Sequence, residues 1–195
     1  MTVTLTLTEV ESISRRMLVA SGASALQADA TARSIADAEA EGIRTVGLSY
    51  LPTYCDHVAC GKVNGNAIPV VSSPRPGTVV VDAGLGFCHP AYEAGEAPLI
   101  AAAHANGVAM LALVHSYSAG VLGWFVDRLA REGLIGIMFA NSSALMAPHP
   151  TRVSFFQRGL NGPGRRKRLG WRAAPAPLAS TKQCLTRGRK QGDMR

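Results

Sequence analysis

No apolar run in this chain approaches the roughly 20 residues that a membrane-crossing helix needs; GVAMLALV and LIGIMFA both stop well short. The opening MTVTLTLTEVES sets threonines and acids where a secretory leader would carry lysines and an apolar core, so a cytoplasmic protein is expected. The C-x-x-C spacing is missing as well, the four cysteines being Cys55, Cys60, Cys88 and Cys184. Within CDHVAC, Cys55, His57 and Cys60 stand at i, i+2 and i+5, positions that point in different directions on a helix and do not converge on one ion. No metal site is expected, and the cysteines read as ordinary reduced thiols. G-x-S-x-G, P-loop and H-E-x-x-H motifs are absent, as is any internal repeat, so none of the chemistries those motifs carry is signalled.

What the chain does have is enough apolar sequence for a core. Its 195 residues are 47% hydrophobic, with a mean hydropathy of +0.13, which suits one soluble domain or part of a larger fold. Charge is divided unevenly. Residues 1–150 hold 8 Lys+Arg against 12 Asp+Glu, a net −4, whereas residues 151–195 hold 12 basic residues against Asp193 alone, a net +11. Two unlike kinds of sequence are joined end to end.

Periodicity gives the elements. Residues 2–6 alternate threonine with apolar residues and predict a short edge strand. Thr8 and Glu11 make a T-x-x-E capping box for a helix running to about Ala20. Ser24 with Gln27 opens a second helix that runs to about Glu41, with Leu26, Ala30, Ile35 and Ala38 near one face and Gly42 closing it. Leu48 to Ala59 reads as a third helix stopped by Gly61. Val70-Val71 and Val79–Val81 predict two strands around a Pro/Gly turn, and Pro90 to Ala105 a helix. Val108–Val114 and Leu134–Ala140 read as buried strands on either side of an amphipathic helix, Ala119–Arg131. That order predicts a βαβ unit in which these two strands are parallel. After His149 neither period is sustained, and a tail rich in Arg, Gly and Pro is expected to be disordered.

Three stretches could carry chemistry. In VVVDAGLGFCHPAYEAG, a strand precedes Gly84-x-Gly86, but the third fingerprint glycine is His89, so a plain turn is the better reading than a dinucleotide loop. In VHSYSAGVLGWF, Ser116, Ser118 and the backbone near Gly120 lie where a strand gives way to a helix and could meet an anion; N-capping by Ser118 is the bland alternative. Asn141, Ser142 and Ser143 follow the next strand in the same way. His57, His104 and His115 have no acidic or thiol partner at a dyad spacing and read as surface or packing residues. The four basic residues Arg165–Arg168, with Trp171 nearby, could serve a nucleic-acid or acidic-membrane arm, the bland alternative being a solvated tail with no selected partner.

Three landmarks then come together: AEAEGIRTVGLSYLPTYCDHVACGKVNGNAIPVV, VDAGLGFCHPA, and AAAHANGVAMLALVHSYSAGVLGWFVDRLAREGLIGIMFANSSALMAP. In this order, from about Thr8 to His149, they resemble the malate/L-lactate dehydrogenase family of the second type, NAD(P)-dependent oxidoreductases unrelated to the Rossmann-fold lactate dehydrogenases. The resemblance implies hydride transfer between NAD or NADP and a 2-oxo or 2-hydroxy acid or a related imino acid, a homodimer, and a non-Rossmann cofactor sheet. The cofactor contacts are then expected at the strand-end residues already singled out, Ser116, Ser118, Gly120 and Asn141.

It also implies a catalytic turn reading Ser-His-Gly, whose histidine donates the proton. Here the turn is Thr45-Val46-Gly47, and valine has no proton to give, a loss worth about 10²–10⁴ in rate. An arginine suited to clamping a carboxylate is Tyr50, Tyr54 is kept, and Ser118 stands where the family commonly has a histidine. No catalytic set is intact.

The overall expectation is an α/β chain. It comprises an N-terminal helical part of a substrate and dimer domain (1–68), a partial α/β cofactor domain with a parallel βαβ unit (69–150), and a disordered basic tail (151–195) with the composition of a gene read out of frame. The expected function is that of a truncated oxidoreductase of this family. The alternative is a non-catalytic binding protein with a basic arm.

Overall fold

The computed structural model describes residues 4–140 and the backbone of residues 159–161. The expected disordered tail, Asn141 to Ser143 and Cys184 lie outside the described residues. The chain divides into two compact units between Val121 and Leu122.

The first unit begins with helix α1, Leu7–Ala20. Residues 4–6 form no strand, because Thr6 is the N-cap: its Oγ1 accepts the Glu9 amide at 3.2 Å, and the Glu9 carboxylate accepts the Thr6 amide at 2.7 Å. LTLTEVES contains two overlapping T-x-x-E pairs, and the earlier one, Thr6 with Glu9, makes the capping box in place of Thr8 with Glu11. Helix α2, Ala25–Ala40, is capped by Ser24 as expected. It buries Ala28, Ala30, Ala32, Ile35 and Ala38, while Leu26 is half-exposed, so that one residue was assigned to the wrong face. These small side chains let α1 pack closely along α2. Gly42, at φ +72°, ends the segment.

Two short 3₁₀ turns, Arg44–Val46 and Leu48–Tyr50, lead into α3, Leu51–Ala59. Val10, Leu18, Ile35, Leu51, Tyr54, Val58 and Phe87 form one core between these helices. Of the cysteines, Cys55 and Cys88 are free and buried, whereas Cys60 is disulfide-bonded, contrary to the expectation of ordinary thiols.

Strands β1, Val70–Arg75, and β2, Thr78–Asp82, form the expected hairpin, antiparallel with Val71 opposite Val81. Helix α4, Cys88–Asn106, then crosses to β3, Met110–Val114, which pairs parallel with β2. The βαβ unit is therefore β2–α4–β3. Its core is Val79, Val81, Ala83 and Ala91, with Leu111 and Leu113 packed on it.

The second unit has helix α5, Leu122–Arg131, three residues shorter at its start than expected, with Trp124, Phe125 and Val126 buried. Strand β4, Met138–Ala140, pairs antiparallel with β5, Gly159–Asn161. Among the described residues, the strand that pairs parallel with β3 is β2 rather than the expected 134–140. Nor are 108–114 and 134–140 buried as their composition suggested. Met110, Ile135, Ile137 and Phe139 are all largely exposed; among the described residues β3 lies at the edge of its three-stranded sheet and β4 pairs with β5. Apolar composition does not disclose how many neighbours a strand has.

Candidate active site

The turn between β2 and α4 is held entirely from within. Five consecutive amides are consumed: Gly84 by the Asp82 carboxylate (2.8 Å), Leu85 by the His115 carbonyl (2.8 Å), Gly86 by the Ala83 carbonyl (2.9 Å), Phe87 by Gln27 Oε1 (2.8 Å) and Cys88 by the Tyr117 carbonyl (3.1 Å). No amide of that set is left to cradle a phosphate. A Cβ added at Gly86 would sit 2.7 Å from the Ala67 Cβ and 2.8 Å from Gln27 Oε1, so the glycine serves close packing. Gln27, read from the sequence only as a capping partner, donates its amide to the Ala67 carbonyl at 2.8 Å and ties α2 to this turn.

The segment after β3 is backbone-strained. His115 (φ +50°) and Ser118 (φ +45°) both adopt the left-handed region without being glycine. The His115 Nδ1 lies 3.0 Å from an Asp82 carboxylate oxygen, so His115 does have an acidic partner, across two strands rather than at a sequence spacing. That bond and the Gly84 amide hold the Asp82 carboxyl below its usual range, the amide contributing more. Both side chains are well exposed, and so exposed a polar contact is of small worth. Ser118 lies four residues before α5 and does not sit at its N-cap. Its hydroxyl is 3.2 Å from that of Tyr54. Burial pushes the Cys88 thiol up to about 12, with Ser116 acting the other way.

This is where the two groups of sequence-derived residues meet. Tyr54, from the segment following the Thr45-Val46-Gly47 turn, and Ser118, from the strand-end segment, are 64 residues apart and hydrogen-bonded. Burial raises the Tyr54 phenol above its ordinary pKa, with the Ser118 bond acting the other way. Gly120 (φ +57°) flanks them: a Cβ there would lie 3.7 Å from the Tyr54 hydroxyl and 3.6 Å from His89 Nε2. His89 is fully buried near the Ala119 backbone, and burial pushes its pKa down to about 3. Asn141 is the one expected cofactor contact outside the described residues.

The turn itself is intact as backbone. The Gly47 amide donates to the Arg44 carbonyl (3.2 Å) and the Tyr50 amide to the Gly47 carbonyl (3.0 Å). Glu39 Oε1 accepts the Leu48 amide at 2.7 Å and fills the space where a Gly47 Cβ would stand, at 2.2 Å. Thr45 is exposed and Val46 half-buried. Beside the turn lies an edge-on aromatic group: Tyr50 against Tyr54 (4.8 Å between centroids), Tyr54 against Phe87 (5.5 Å) and Tyr117 (6.1 Å), and His57 against Tyr117 (5.4 Å). His57 is buried, as a packing histidine should be, but its Nδ1 bonds the Tyr117 hydroxyl and its Nε2 lies 3.4 Å from Lys62 Nζ. No spacing rule links position 57 to position 117, so the sequence carried no signal for this contact. Among the described residues no group of three or more His, Cys, Asp or Glu is placed to hold a metal ion, and no helix is long and apolar enough to cross a membrane.

A mixed α/β body whose strand-end hydroxyls meet a tyrosine from a helical segment defines the class, and comparison with known proteins gives the family. Residues 5–157 match the malate/L-lactate dehydrogenase family, and the chain belongs to it. It is 36% identical over 142 residues to a Delta(1)-pyrroline-2-carboxylate/Delta(1)-piperideine-2-carboxylate reductase of Pseudomonas syringae pv. tomato, covering 73% of this chain and 41% of that protein. It is 38% identical over 145 residues to a (2R)-3-sulfolactate dehydrogenase (NADP(+)) of Chromohalobacter salexigens, covering 74% and 43%. The crystal structure of delta1-piperideine-2-carboxylate reductase from Pseudomonas syringae superposes with a TM-score of 0.74 at 34% identity, covering 80% of this chain and 47% of that one. Malate dehydrogenase from Pyrococcus horikoshii, at 23% identity and a TM-score of 0.72, shares the fold. The chain spans less than half the length of these relatives.

Proposed function

We propose that this chain carries the substrate-side portion of an NAD(P)-dependent reductase acting on a small 2-oxo acid or cyclic imino acid. The observation that carries the reading is the Tyr54–Ser118 hydrogen bond, which joins the segment bearing the degraded catalytic turn to the segment bearing the expected cofactor contacts. The donor set fits a nicotinamide dinucleotide at Ser116, Ser118 and Gly120 rather than at the Gly84–Cys88 turn, whose amides are used up. A hydroxyl that bonds Tyr54 keeps further hydrogen-bonding capacity, and Ser116 is exposed. When bound, the nicotinamide supplies a hydride to the C2 carbon of the substrate. The chain positions the reacting group against the Tyr50–Tyr54–Tyr117 wall and keeps water from its buried side.

Tyr50, a hydroxyl in place of a guanidinium, can offer a substrate carboxylate one hydrogen bond where an arginine would offer two. Relatives named for cyclic imino acids and for sulfolactate both exceed 30% identity, which supports a small carboxylate bearing a reducible C=N or C=O bond as the substrate. The remaining assignments belong to the same proposal: a cytoplasmic address, a homodimer, and a helical part over residues 1–68 with a cofactor part over residues 69–150.

Titration of NADH and of NADPH, followed by nicotinamide fluorescence, tests the cofactor assignment. Saturable binding of one of them is expected, weakened about tenfold in Ser118→Ala by loss of one hydrogen bond. Equal affinity in wild type and variant would remove Ser118 from the cofactor site.

A further inference from the structure

We propose that His57 and Tyr117 are positioning residues of the cofactor site: their bond locks the left-handed turn at Ser118 and so aims the Ser118 hydroxyl. The inference rests on the reductase reading and deepens it.

Two consecutive residues of the strand-end segment are held by one face of one helix. His57 Nδ1 bonds the Tyr117 hydroxyl, and the Tyr54 hydroxyl lies 3.2 Å from that of Ser118. Tyr54 and His57 stand at i and i+3 on α3, so they are neighbours on its surface. Along an extended chain, side chains 117 and 118 would point to opposite sides. Both reach α3 here because Ser118 takes a φ of +45°, which breaks that alternation.

A left-handed serine is strained and persists only where its surroundings over-determine it. On its N-terminal side the surroundings are Tyr117. The Tyr117 amide donates to the Gly86 carbonyl at 2.8 Å, and its carbonyl accepts the Cys88 amide at 3.1 Å. Its ring stands edge-on to Tyr54, Phe87 and His57, with centroids 6.1, 5.8 and 5.4 Å apart. Apolar packing alone lets a ring slide or tilt, and the bond to His57 gives this one a fixed end.

His57 is itself held ready for that bond. It is buried, and its carbonyl accepts the Val63 amide at 2.9 Å. Lys62 Nζ lies 3.4 Å from its Nε2. An ammonium donates and never accepts, so Nε2 is the acceptor, and Nδ1 carries the ring's proton and donates it to the Tyr117 oxygen. Burial, with Lys62 next, holds His57 below its ordinary pKa, which favours the neutral ring this arrangement needs. The Ser118 hydroxyl keeps hydrogen-bonding capacity beyond Tyr54, and the clamp sets the direction in which a nicotinamide dinucleotide meets it.

The test is a double-mutant cycle on the full chain, read by nicotinamide fluorescence with NADH and with NADPH. Tyr117→Phe keeps the ring and loses the bond, and is expected to weaken binding about tenfold, as Ser118→Ala does. The two changes together are expected to weaken it about tenfold as well, instead of the about hundredfold of independent losses. His57→Leu is expected to match Tyr117→Phe, whereas His57→Asn, which keeps a donor near the Nδ1 position, is expected to stay within about threefold of wild type. Additive losses in the cycle, full affinity in Tyr117→Phe, or equal losses in His57→Leu and His57→Asn overturn the clamp and leave the reductase reading standing. Full affinity in Ser118→Ala, or no binding of either dinucleotide to any form, overturns the cofactor reading itself, and the clamp falls with it.

Discussion

Gln27 shows how much of a site's framework can hang on one side chain. Its two polar atoms satisfy the Phe87 amide and the Ala67 carbonyl, both in buried residues. Gln27→Leu fills the same space and leaves both groups unpaired, so a loss of about 2–5 kcal/mol is expected in urea unfolding. Gly86→Ala drives a methyl into Ala67 and Gln27 at under 3 Å and is expected to cost about 1–3 kcal/mol by the same measurement. The turn at 84–86 was legible in the sequence from its missing third glycine, but its tether to α2 was not, because a buried glutamine and a capping glutamine are the same letter.

His89 makes a further residue-scale prediction. Its pKa is near 3 in the folded chain and near 6.5 when unfolded, so below about pH 6.5 the unfolded state binds the extra proton. Stability is therefore complete above that pH and falls as pH drops from about 6.5 toward 3, by up to about 1.4 kcal/mol per unit; His57, depressed in the same direction, adds to the slope. Unfolding free energies at pH 7, 6, 5 and 4 should decline, and His89→Gln should flatten the decline.

Among the elements, the helices and the β1–β2 hairpin are legible in the sequence, and the partner of β3 is not. Capping signals are local: Ser24 capped α2 where expected, and α1 differed only because two T-x-x-E pairs overlap. Strand pairing is non-local, and the apolar stretches 108–114 and 134–140 suited each other as well as they suited anything else. What decides the real pair is the surface under α4. A Cβ at Gly95 would lie 2.6 Å from Val81 Cγ2 and 2.9 Å from Leu111 Cδ1, so the helix lies down on β2 and β3 at a glycine. Gly95→Leu is expected to push α4 off both strands and cost several kcal/mol, at least about 3 by denaturant unfolding, with loss of cooperativity. By contrast the Arg33–Glu93 pair between α2 and α4, at 2.8 Å but partly exposed, is worth at most about 1 kcal/mol.

At the scale of the molecule, the order of three landmarks was enough to reach the family, because a long ordered match is specific even where the chemistry has drifted. The site was legible only in pieces: the turn at 45–47 and the hydroxyls at 116 and 118 could be named, but not the bond between Tyr54 and Ser118, nor the approach of His57 to Tyr117 across sixty residues. Those contacts exist only once α3 and the β3 end share one core.

The proposed reduction of a small C=N or C=O carboxylate by a nicotinamide hydride can be tested on the chain itself. The most direct measurement incubates the chain with nicotinamide dinucleotide deuterated at C4 on either face and Δ1-piperideine-2-carboxylate, with mass analysis of the product. One deuterium at C2 of pipecolate, from one face of the nicotinamide only, is the predicted result. Product with no deuterium, or no product from any 2-oxo or cyclic imino acid tried, would contradict it.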